Sequence, residues 1–528
     1  MNEVIPMAHA KSRFPTGAET LVSSLAASGI DVCFANPGTS EMHFVAALDK
    51  INGIRPILCL FEGVATGAAD GYARIAGKPA STLLHLGPGL GNGLANLHNA
   101  KRASVPMVNI VGNHASYHLQ FDAPLTSDVA GFARPVSDWV HTSQSARTVP
   151  ADAARAVQAA RAAPGQIATL ILPADTAWLP GERASGPLPV SGASDVSAAA
   201  IDQCVAALRS GRKTAILLRG AALTGAGLRA AGRIAAQTHA RLFCDTFAPR
   251  IERGVGRIPV ERLQYRADEV VQQLCAFETL ILVGAQPPVA FFAYPGKPSW
   301  LTPETCTILT LSYPHEAGSE AVEMLANALG APEVRLIGSQ SNFTLPEDDI
   351  LTAEAVVQIV ACLLPENSIV ADEGLTSTFP NYDLLATAAP HDHLNLTGGS
   401  IGGILPLGTG AAVAAPERKV VCLEGDGSGM YTLQALWTQA REKLDVITII
   451  FANRSYSVLN QELERVGVAT AGLRARSLFD LRNPEINWVN LAQGMGVEAV
   501  SVDTVKEFYD VLSSVFLKRG PFLIEAVI

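Results

Sequence analysis

The sequence predicts an α/β protein made of three doubly wound domains, each built around a parallel sheet. Apolar runs rich in β-branched residues alternate with Ala- and Leu-rich helical patterns, which is typical of strand–helix–strand units. A length of 528 residues suits about three domains of roughly 150 residues each. Two polar stretches, 180–197 and 338–347, have the composition of linkers. We therefore expect domains at residues 1–185, 190–338 and 350–528.

The predicted strands are short apolar runs in each of these blocks. In the first block each run is followed by a loop and a helical pattern. The runs lie at 31–35, 56–60, 81–85 and 107–111 in the first block, 213–218, 241–245, 279–283 and 307–311 in the second, and 368–371, 419–424, 446–452 and 522–526 in the third.

Composition excludes several classes of function. A net charge of -10 gives no electrostatic basis for binding nucleic acid or an anionic membrane. No apolar stretch approaches the length of a membrane span. The eight cysteines are scattered, form no C-x-x-C pair and lie mostly in apolar runs, as reduced core cysteines do. These features predict a cytoplasmic protein with no nucleic-acid or membrane partner.

The stretch from Gly425 to Ser455 carries the strongest chemical signal. A buried-strand pattern, 419–424, ends in Gly425-Asp426-Gly427-Ser428-Gly429, a helical pattern follows at 431–444, and the strand at 446–452 ends at Asn453-Arg454-Ser455. Polar residues at the ends of parallel strands are where open sheets bind ligands. The alternative is an ordinary strand–helix turn, but the 25 residues from Ser428 to Ala452 are what a helix and a return strand need to bring Asn453 beside Asp426.

These residue types suit a diphosphate and a metal ion. Glycines let the backbone approach a phosphate closely, and a helix N-terminus offers free N–H groups. Mg²⁺ takes hard oxygen ligands. We expect the side chains of Asp426 and Asn453 and the backbone carbonyl of Ser455 to supply them.

A Gly-Asp-Gly followed by about 25 residues and Asn resembles the thiamine diphosphate signature. The stretch 425–453, GDGSGMYTLQALWTQAREKLDVITIIFAN, closely resembles benzoylformate decarboxylase and acetolactate synthase. It departs at Arg454, where many relatives have a second Asn. The resemblance implies thiamine diphosphate and Mg²⁺ as cofactors and a 2-oxo acid as substrate, with Gly425, Asp426, Gly427, Ser428, Asn453 and Ser455 binding them.

Glu62 is the candidate activator of the coenzyme, whose aminopyrimidine needs a carboxylate to relay a proton. The stretch from Phe61, FEGVATGAADGYARIAGKPA, resembles the activating-glutamate segment of the same family. Taken alone, an acid here is more often a helix N-terminal charge. The family places the coenzyme between two subunits, which implies a homodimer or homotetramer in which Glu62 and Asp426 meet at a subunit interface.

Two further segments resemble parts that face the substrate. Thr39 takes the place of a serine in a loop whose hydroxyl contacts the substrate carboxylate, although a Pro-Gly turn explains the residue types equally well. His85 aligns with a histidine used for proton transfer, and a structural histidine is the competing interpretation. Phe291 or Phe292 stands where benzoylformate decarboxylase carries a second histidine.

The remaining cofactor residues also come from the resemblance. In the segment 397–406, the Gly399 carbonyl is expected to accept from the aminopyrimidine and Ile401 to hold the two rings bent. Thr376 and Ser377 are weaker candidates for the diphosphate. The glycines at 220–227 lack a clean dinucleotide pattern, and the middle block is short, so FAD is not expected.

The sequence thus predicts an enzyme that decarboxylates a 2-oxo acid and ligates the product to a second carbonyl compound, as acetolactate synthase does. Non-oxidative decarboxylation of the benzoylformate decarboxylase type is the first alternative. A flavin-dependent 2-oxo acid oxidase and a non-catalytic paralogue are the others.

Overall fold

The computed structural model describes residues 14–336, 349–467 and 472–528. Its chain divides into two compact units, the first comprising residues up to Ala69, Lys78–Leu97 and Ser104–Val190, and the second comprising Asp70–Gly77, His98–Ala103 and Ser191–Ile528. Two helices, Glu62–Ala76 and Leu86–Arg102, contribute residues to both units. The linker predicted at 338–347 lies outside the described residues.

The first unit holds a six-stranded sheet in the order β2-β1-β3-β4-β6-β5, and all its strand pairs are parallel. Its strands are β1 Val32–Ala35, β2 Arg55–Leu58, β3 Ala80–Leu84, β4 Met107–Asn113, β5 Trp139–Thr142 and β6 Ile167–Pro173. Helices α1 to α7 are Gly17–Ala27, Met42–Lys50, Glu62–Ala76, Leu86–Arg102, Val129–Ala133, Val149–Ala160 and Ala174–Trp178.

The second unit holds two sheets. Its strands are β7 Thr214–Leu218, β8 Arg241–Cys244, β9 Arg250–Arg253, β10 Glu261–Arg262, β11 Thr279–Val283, β12 Thr307–Ser312, β13 Ser368–Asp372, β14 His391–Asn395, β15 Val420–Gly425, β16 Val446–Ala452, β17 Glu498–Val502 and β18 Phe522–Val527. Helices α8 to α19 are Ala198–Arg209, Gly225–Thr238, Ala267–Leu274, Gly318–Leu329, Ala353–Leu363, Ile404–Ala414, Asp426–Gly429, Ala435–Glu442, Ser457–Arg465, Leu473–Arg476, Trp488–Gly494 and Val505–Phe516.

The five-stranded sheet of this unit runs β10-β8-β7-β11-β12 and is parallel throughout. The seven-stranded sheet runs β17-β18-β16-β15-β13-β14-β9. Its edge strand β9 pairs antiparallel with β14, so the expectation of purely parallel sheets is wrong at this edge. Strand β9 follows β8 in sequence. After β8 the chain therefore leaves the five-stranded sheet and adds an edge strand to the seven-stranded sheet.

Burial on both faces explains why the central strands are continuous apolar runs. All seven residues of β16 are buried, as are all five of β7 and of β11. The predicted α/β class with mainly parallel sheets is therefore confirmed. In the described part of the chain, no helix is long and apolar enough to cross a membrane.

The helix predicted at 431–444 is shorter than expected. A single turn, Asp426–Gly429, comes first, and the longer helix spans Ala435–Glu442. Thr432 lies between them, and its hydroxyl donates to the carbonyl of Gly402 at 2.7 Å. This contact holds the residues between the two helices against the loop that contains Gly402. The longer helix begins at Ala435, four residues later than predicted.

Candidate active site

Glu62 is the first residue of α3 and its side chain is almost fully buried, with 6% exposed. Nδ2 of Asn92 donates to its Oε2 at 3.0 Å. A Cβ at Gly89 would lie 2.9 Å from Oε1, so only glycine leaves the carboxylate this space. A carboxylate can accept several hydrogen bonds, so Glu62 retains acceptor capacity for a ligand beside the bond from Asn92.

His85 follows β3, and its Nδ1 lies 2.8 Å from Oε2 of Glu41. Glu41 is buried, and it also accepts from the hydroxyl of Ser40 at 2.6 Å and from the backbone N–H of Gly38 at 2.8 Å. A Cβ at Gly38 would lie 2.1 Å from His85 Nδ1, so this glycine makes room for the ring. Because a carboxylate only accepts, Nδ1 donates and Nε2 is left for other chemistry.

Sequence reasoning missed Glu41. The signal was an acid three residues after the Gly38 of a Pro-Gly turn, in a short 3-10 helix, Thr39–Glu41. Thr39 begins that helix with an exposed side chain, beside Ser40, whose hydroxyl lies 3.3 Å from His85 Nδ1. Thr39 and His85 therefore belong to one local cluster of the first unit, and their roles stay predictions.

Asp426 and the residues after β16 come together as the strand order predicts. Strands β15 and β16 pair in parallel, with Gly425 opposite Phe451. Oδ2 of Asp426 accepts from the backbone N–H of Arg454 at 2.5 Å, and Oδ1 accepts from that of Gly427 at 2.8 Å. Burial raises the pKa of Asp426 to about 6. Asp426 thus lies directly beside the backbone that carries Asn453.

The donor set fits a hard divalent cation and a phosphate. The amide oxygen of Asn453 accepts from the N–H of Ser455 at 3.0 Å, which turns this loop around the end of β16. A Cβ at Gly427 would lie 2.4 Å from the Tyr456 ring, so the loop needs glycine there. A polar cavity of about 450 Å³ adjoins these residues, lined by Asn453, Arg454, Ser455, Asn460, Leu463, Glu464, Arg476, Phe479, Asp480 and Arg482. Oxygen ligands beside a basic cavity suit Mg²⁺ and a diphosphate.

The side chain of Ser428 is hydrogen-bonded within the glycine-rich loop and its preceding strand. Its hydroxyl donates to Oε1 of Glu424, which also accepts from the backbone N–H of Gly425 at 2.9 Å. The hydroxyl is therefore engaged within the chain, and the role of Ser428 in cofactor binding stays a prediction.

The segment predicted to hold the aminopyrimidine lies on the same unit as Asp426. Gly399 is exposed with a φ of +75°, a conformation that favours glycine, and Ile401 is partly exposed. Gly402, directly after Ile401, has a φ of +82°, and a Cβ there would lie 3.0 Å from the carbonyl oxygen of Ser428. The structure therefore brings this segment against the glycine-rich loop. Thr376 and Ser377 lie in the turn after β13, with Ser377 buried and Thr376 partly exposed.

Comparison with known proteins decides the family. The chain matches the model of the thiamine pyrophosphate enzyme N-terminal binding domain over residues 15–133 and that of the C-terminal binding domain over residues 380–526. It is 50% identical to the Mycobacterium tuberculosis protein named "Putative acetolactate synthase large subunit IlvX", covering 97% of this chain and 99% of that one. The chain belongs to the thiamine pyrophosphate enzyme family. It is a thiamine-diphosphate-dependent enzyme, and the cofactor predicted from residues 425–455 is confirmed.

Two further relatives agree. Benzoylformate decarboxylase of Pseudomonas aeruginosa is 28% identical over 94% of this chain and 96% of its own. The solved structure of the thiamine diphosphate-dependent 4-hydroxybenzoylformate decarboxylase of Rhodococcus jostii RHA1 has a TM-score of 0.83 at 22% identity, covering 97% of this chain and 99% of that one. At this identity the match establishes the fold of the thiamine pyrophosphate enzyme.

A cavity lined partly by aromatic side chains lies next to Gly399. A Cβ at Gly399 would lie 2.8 Å from Cζ of Phe291, so that ring packs directly on the segment. Phe291 contacts Tyr265 in a tilted arrangement and Phe292 edge to face, at centroid distances of 5.2 and 4.9 Å. The cavity of about 230 Å³ is lined by Tyr265, Arg266, Ala267, Asp268, Phe291, Phe292, Tyr294, Pro295, Lys297 and Arg465. Of the two phenylalanines, Phe291 is therefore the one that borders the predicted coenzyme segment.

Two buried acids near this site were not anticipated from sequence. Glu373 follows β13 and Glu424 precedes the glycine-rich loop, and both are at least 98% buried. Burial raises the pKa of each, with that of Glu373 at about 8, and their mutual repulsion adds to the rise for Glu424. Apolar strand patterns give no sign of such residues, because acids at strand ends are usually solvated.

Proposed function

We propose that the chain uses thiamine diphosphate and Mg²⁺ to decarboxylate a 2-oxo acid and to ligate the remaining unit to a second carbonyl compound. The strong similarity to the protein named as an acetolactate synthase large subunit supports this reaction class. Glu62, Asp426 and Asn453 are all present. A protein that had lost catalysis would be free to lose them.

The bound coenzyme supplies a nucleophilic thiazolium carbon that also accepts electrons from the substrate. Around it, Asp426, Asn453 and the Ser455 carbonyl would hold Mg²⁺, and the N–H groups of the Gly425–Ser428 loop would receive the diphosphate. Glu62 would exchange a proton with the pyrimidine ring. The Gly399 carbonyl and Ile401 would fix its orientation, while Thr376 and Ser377 are secondary candidates for the diphosphate.

The packing of Phe291 on Gly399 is the observation that favours ligation. A phenyl ring can neither donate nor accept a proton, whereas a histidine in its place would protonate the reacting carbon. An apolar ring beside Gly399 supplies no proton to the reacting carbon and so favours its capture by a second carbonyl compound.

Simple decarboxylation is the second candidate, and the His85–Glu41 pair favours it. His85 is held by a buried carboxylate and keeps Nε2 for proton transfer, and Thr39 lies nearby to contact a substrate carboxylate. A single histidine suffices to protonate the product if it reaches the reacting carbon.

The same proposal includes the assembly and the cell compartment. We infer the three-domain organisation at 1–185, 190–338 and 350–528, and a homodimer or homotetramer with active sites at subunit interfaces. Free thiols at all eight cysteines support a reducing, cytoplasmic setting.

A product screen tests the proposal. Purified protein with thiamine diphosphate and Mg²⁺ is incubated with pyruvate, 2-oxobutyrate, benzoylformate or glyoxylate, each alone and with an acceptor aldehyde, and the products are identified by NMR. Hydroxyketones or acetohydroxy acids are expected. Aldehydes alone would establish the decarboxylase, and the absence of coenzyme binding by calorimetry would refute both.

A further inference from the structure

Glu373 binds three consecutive backbone N–H groups. Its Oε1 accepts from Gly402 at 2.6 Å, and its Oε2 accepts from Gly403 at 2.8 Å and from Ile404 at 3.2 Å. Its side chain is 2% exposed. Helix α13 begins at Ile404, and its N-cap residue, Gly403, provides no side-chain cap. Glu373, at the end of strand β13, therefore caps helix α13. This role is usually taken by a residue next to the helix in sequence.

The segment between Asn395 and Gly402 is also anchored at its other end. Arg74 donates to the Asn395 carbonyl at 2.7 Å and to the Thr397 hydroxyl at 3.1 Å. Nδ2 of Asn99 donates to the Ser400 carbonyl at 2.8 Å. Gly399 and Ile401 thus lie on a short loop fixed at both ends, and Glu373 supplies the attachment on the α13 side.

The Glu373 end of this loop also contacts the glycine-rich loop. A Cβ at Gly402 would lie 2.4 Å from Cβ of Tyr431, and the Thr432 hydroxyl donates to the Gly402 carbonyl at 2.7 Å. The pairing of Asp372 with Leu423 across β13 and β15 puts Glu373 next to Glu424 at the strand ends. Gly402 therefore lies between the loop that carries Gly399 and the segment that follows the glycine-rich loop.

The two buried acids differ in the number of hydrogen bonds that their oxygens accept. Glu373 has donors on both oxygens, and these bonds favour its ionised form against the effect of burial. Oε2 of Glu424 has no hydrogen-bond partner among the described residues. Both oxygens of Glu373 are therefore committed to the backbone at the N-terminus of α13, which favours a negative charge.

We propose that Glu373 is a positioning residue of the coenzyme site, whose buried carboxylate fixes the loop that carries Gly399 and Ile401. The inference rests on the proposed function, because those two residues are assigned to the coenzyme there. Glu373 itself contacts the backbone and acts through it.

The variant Glu373→Gln tests this assignment. An amide has one acceptor oxygen, so its NH₂ group must face either the Gly402 N–H or the pair from Gly403 and Ile404. Above pH 8, where the carboxylate is ionised, we expect thiamine diphosphate to bind roughly tenfold more weakly at saturating Mg²⁺. Exchange of the coenzyme C2 proton with deuterium, followed by NMR, should also slow, since Glu62 then meets a displaced pyrimidine.

The control is Asp445→Asn. Asp445 is also buried, and it is ion-paired with Lys419 at 2.7 Å. It precedes β16, however, so it lies at the amino ends of the strands in the sheet whose carboxyl ends carry Glu373. This variant should lower the melting temperature and leave coenzyme affinity and C2 exchange unchanged. Glu373→Asp keeps both oxygens on a shorter side chain, and its affinity should fall between those of wild type and Glu373→Gln.

The outcomes separate the two hypotheses. Failure of the wild-type protein to bind the coenzyme would overturn the proposed function and this inference with it. Normal binding by wild type together with unchanged affinity and C2 exchange in Glu373→Gln would overturn the positioning role alone, even if that variant melted at a lower temperature.

Discussion

Nδ1 of His85 lies 2.8 Å from Oε2 of the buried Glu41, within hydrogen-bonding distance. The contact fixes which ring nitrogen donates, and it therefore leaves Nε2 as the nitrogen that can exchange a proton with substrate. Glu41 is one residue from Ser40 and two from Thr39, so the turn that carries these residues and the histidine share one carboxylate.

The variant Glu41→Gln should lower turnover about a hundredfold, the range typical of losing oriented acid–base catalysis. The amide can present its NH₂ group to Nδ1 and so favour the wrong ring tautomer. Steady-state kinetics on the substrate found in the product screen checks this. Ser40→Ala removes a hydroxyl from Glu41 but keeps the carboxylate and should have a small effect. Wild-type turnover in Glu41→Gln would show that His85 needs no partner.

The variants Glu62→Gln and Asp426→Ala should each be inactive as homo-oligomers, and Glu62→Gln should still bind the coenzyme. Co-expressed with different tags and purified in tandem, they should regain activity. If each site combines Glu62 of one subunit with Asp426 of the other, a hybrid dimer has one intact site and about half the normal activity. An inactive hybrid dimer would place both residues of a site in the same subunit.

Mg²⁺ affinity should depend on pH through Asp426. Burial raises the pKa of this carboxyl from 3.8 to about 6. Above pH 6 the carboxylate is free to bind metal, while below it a proton competes, so affinity should fall about tenfold for each further pH unit. Calorimetric titration with Mg²⁺ in the presence of the coenzyme measures this. Asp426→Asn should bind weakly at every pH, and an unchanged pH profile in that variant would assign the proton to another group.

The variant Gly427→Ala should abolish coenzyme binding and lower the free energy of unfolding by about 1–3 kcal/mol, as overpacking does. Its Cβ would lie 2.4 Å from the Tyr456 ring. Gly494→Ala is the control, because a Cβ there meets nothing within 4 Å and lies in a helix. That change should be neutral or stabilising by about 0.5 kcal/mol. Urea unfolding and calorimetry measure both effects, and equal behaviour of the two variants would contradict the steric argument.

Sequence patterns located several of the strands that are apolar on both faces, although they missed β6, Ile167–Pro173. The predicted strands 279–283 and 446–452 agree with β11 and β16, residue for residue. Strand β14 was missed because its sequence, HDHLN, is mostly polar although every residue is buried. Its Asp392 is paired with a distant partner, the Arg250 guanidinium at 2.7 Å, and such pairing leaves no local periodicity.

The residues of the candidate site likewise fall into those that sequence patterns predict and those that they miss. Asp426 and the loop after β16 were predictable, because parallel strands of known order bring their ends together. Glu41 and Glu373 were not, because each is defined by contacts with residues that are far away in sequence: His85 lies 44 residues from the first, and Gly402 29 residues from the second. A buried acid of this kind is recognised by the groups that donate hydrogen bonds to it, and those contacts exist only in the folded chain.

The antiparallel strand β9 has a consequence for dissecting this protein. It covers the open edge of β14, and Arg250 on it holds Asp392 of β14. A fragment that starts at residue 349, after the predicted linker, would contain the coenzyme-binding glycine loop but would lack β9. The unsatisfied backbone groups of β14 would then be exposed as a template for aggregation. The glycine loop should therefore be isolated in soluble form only in fragments that begin before Arg250.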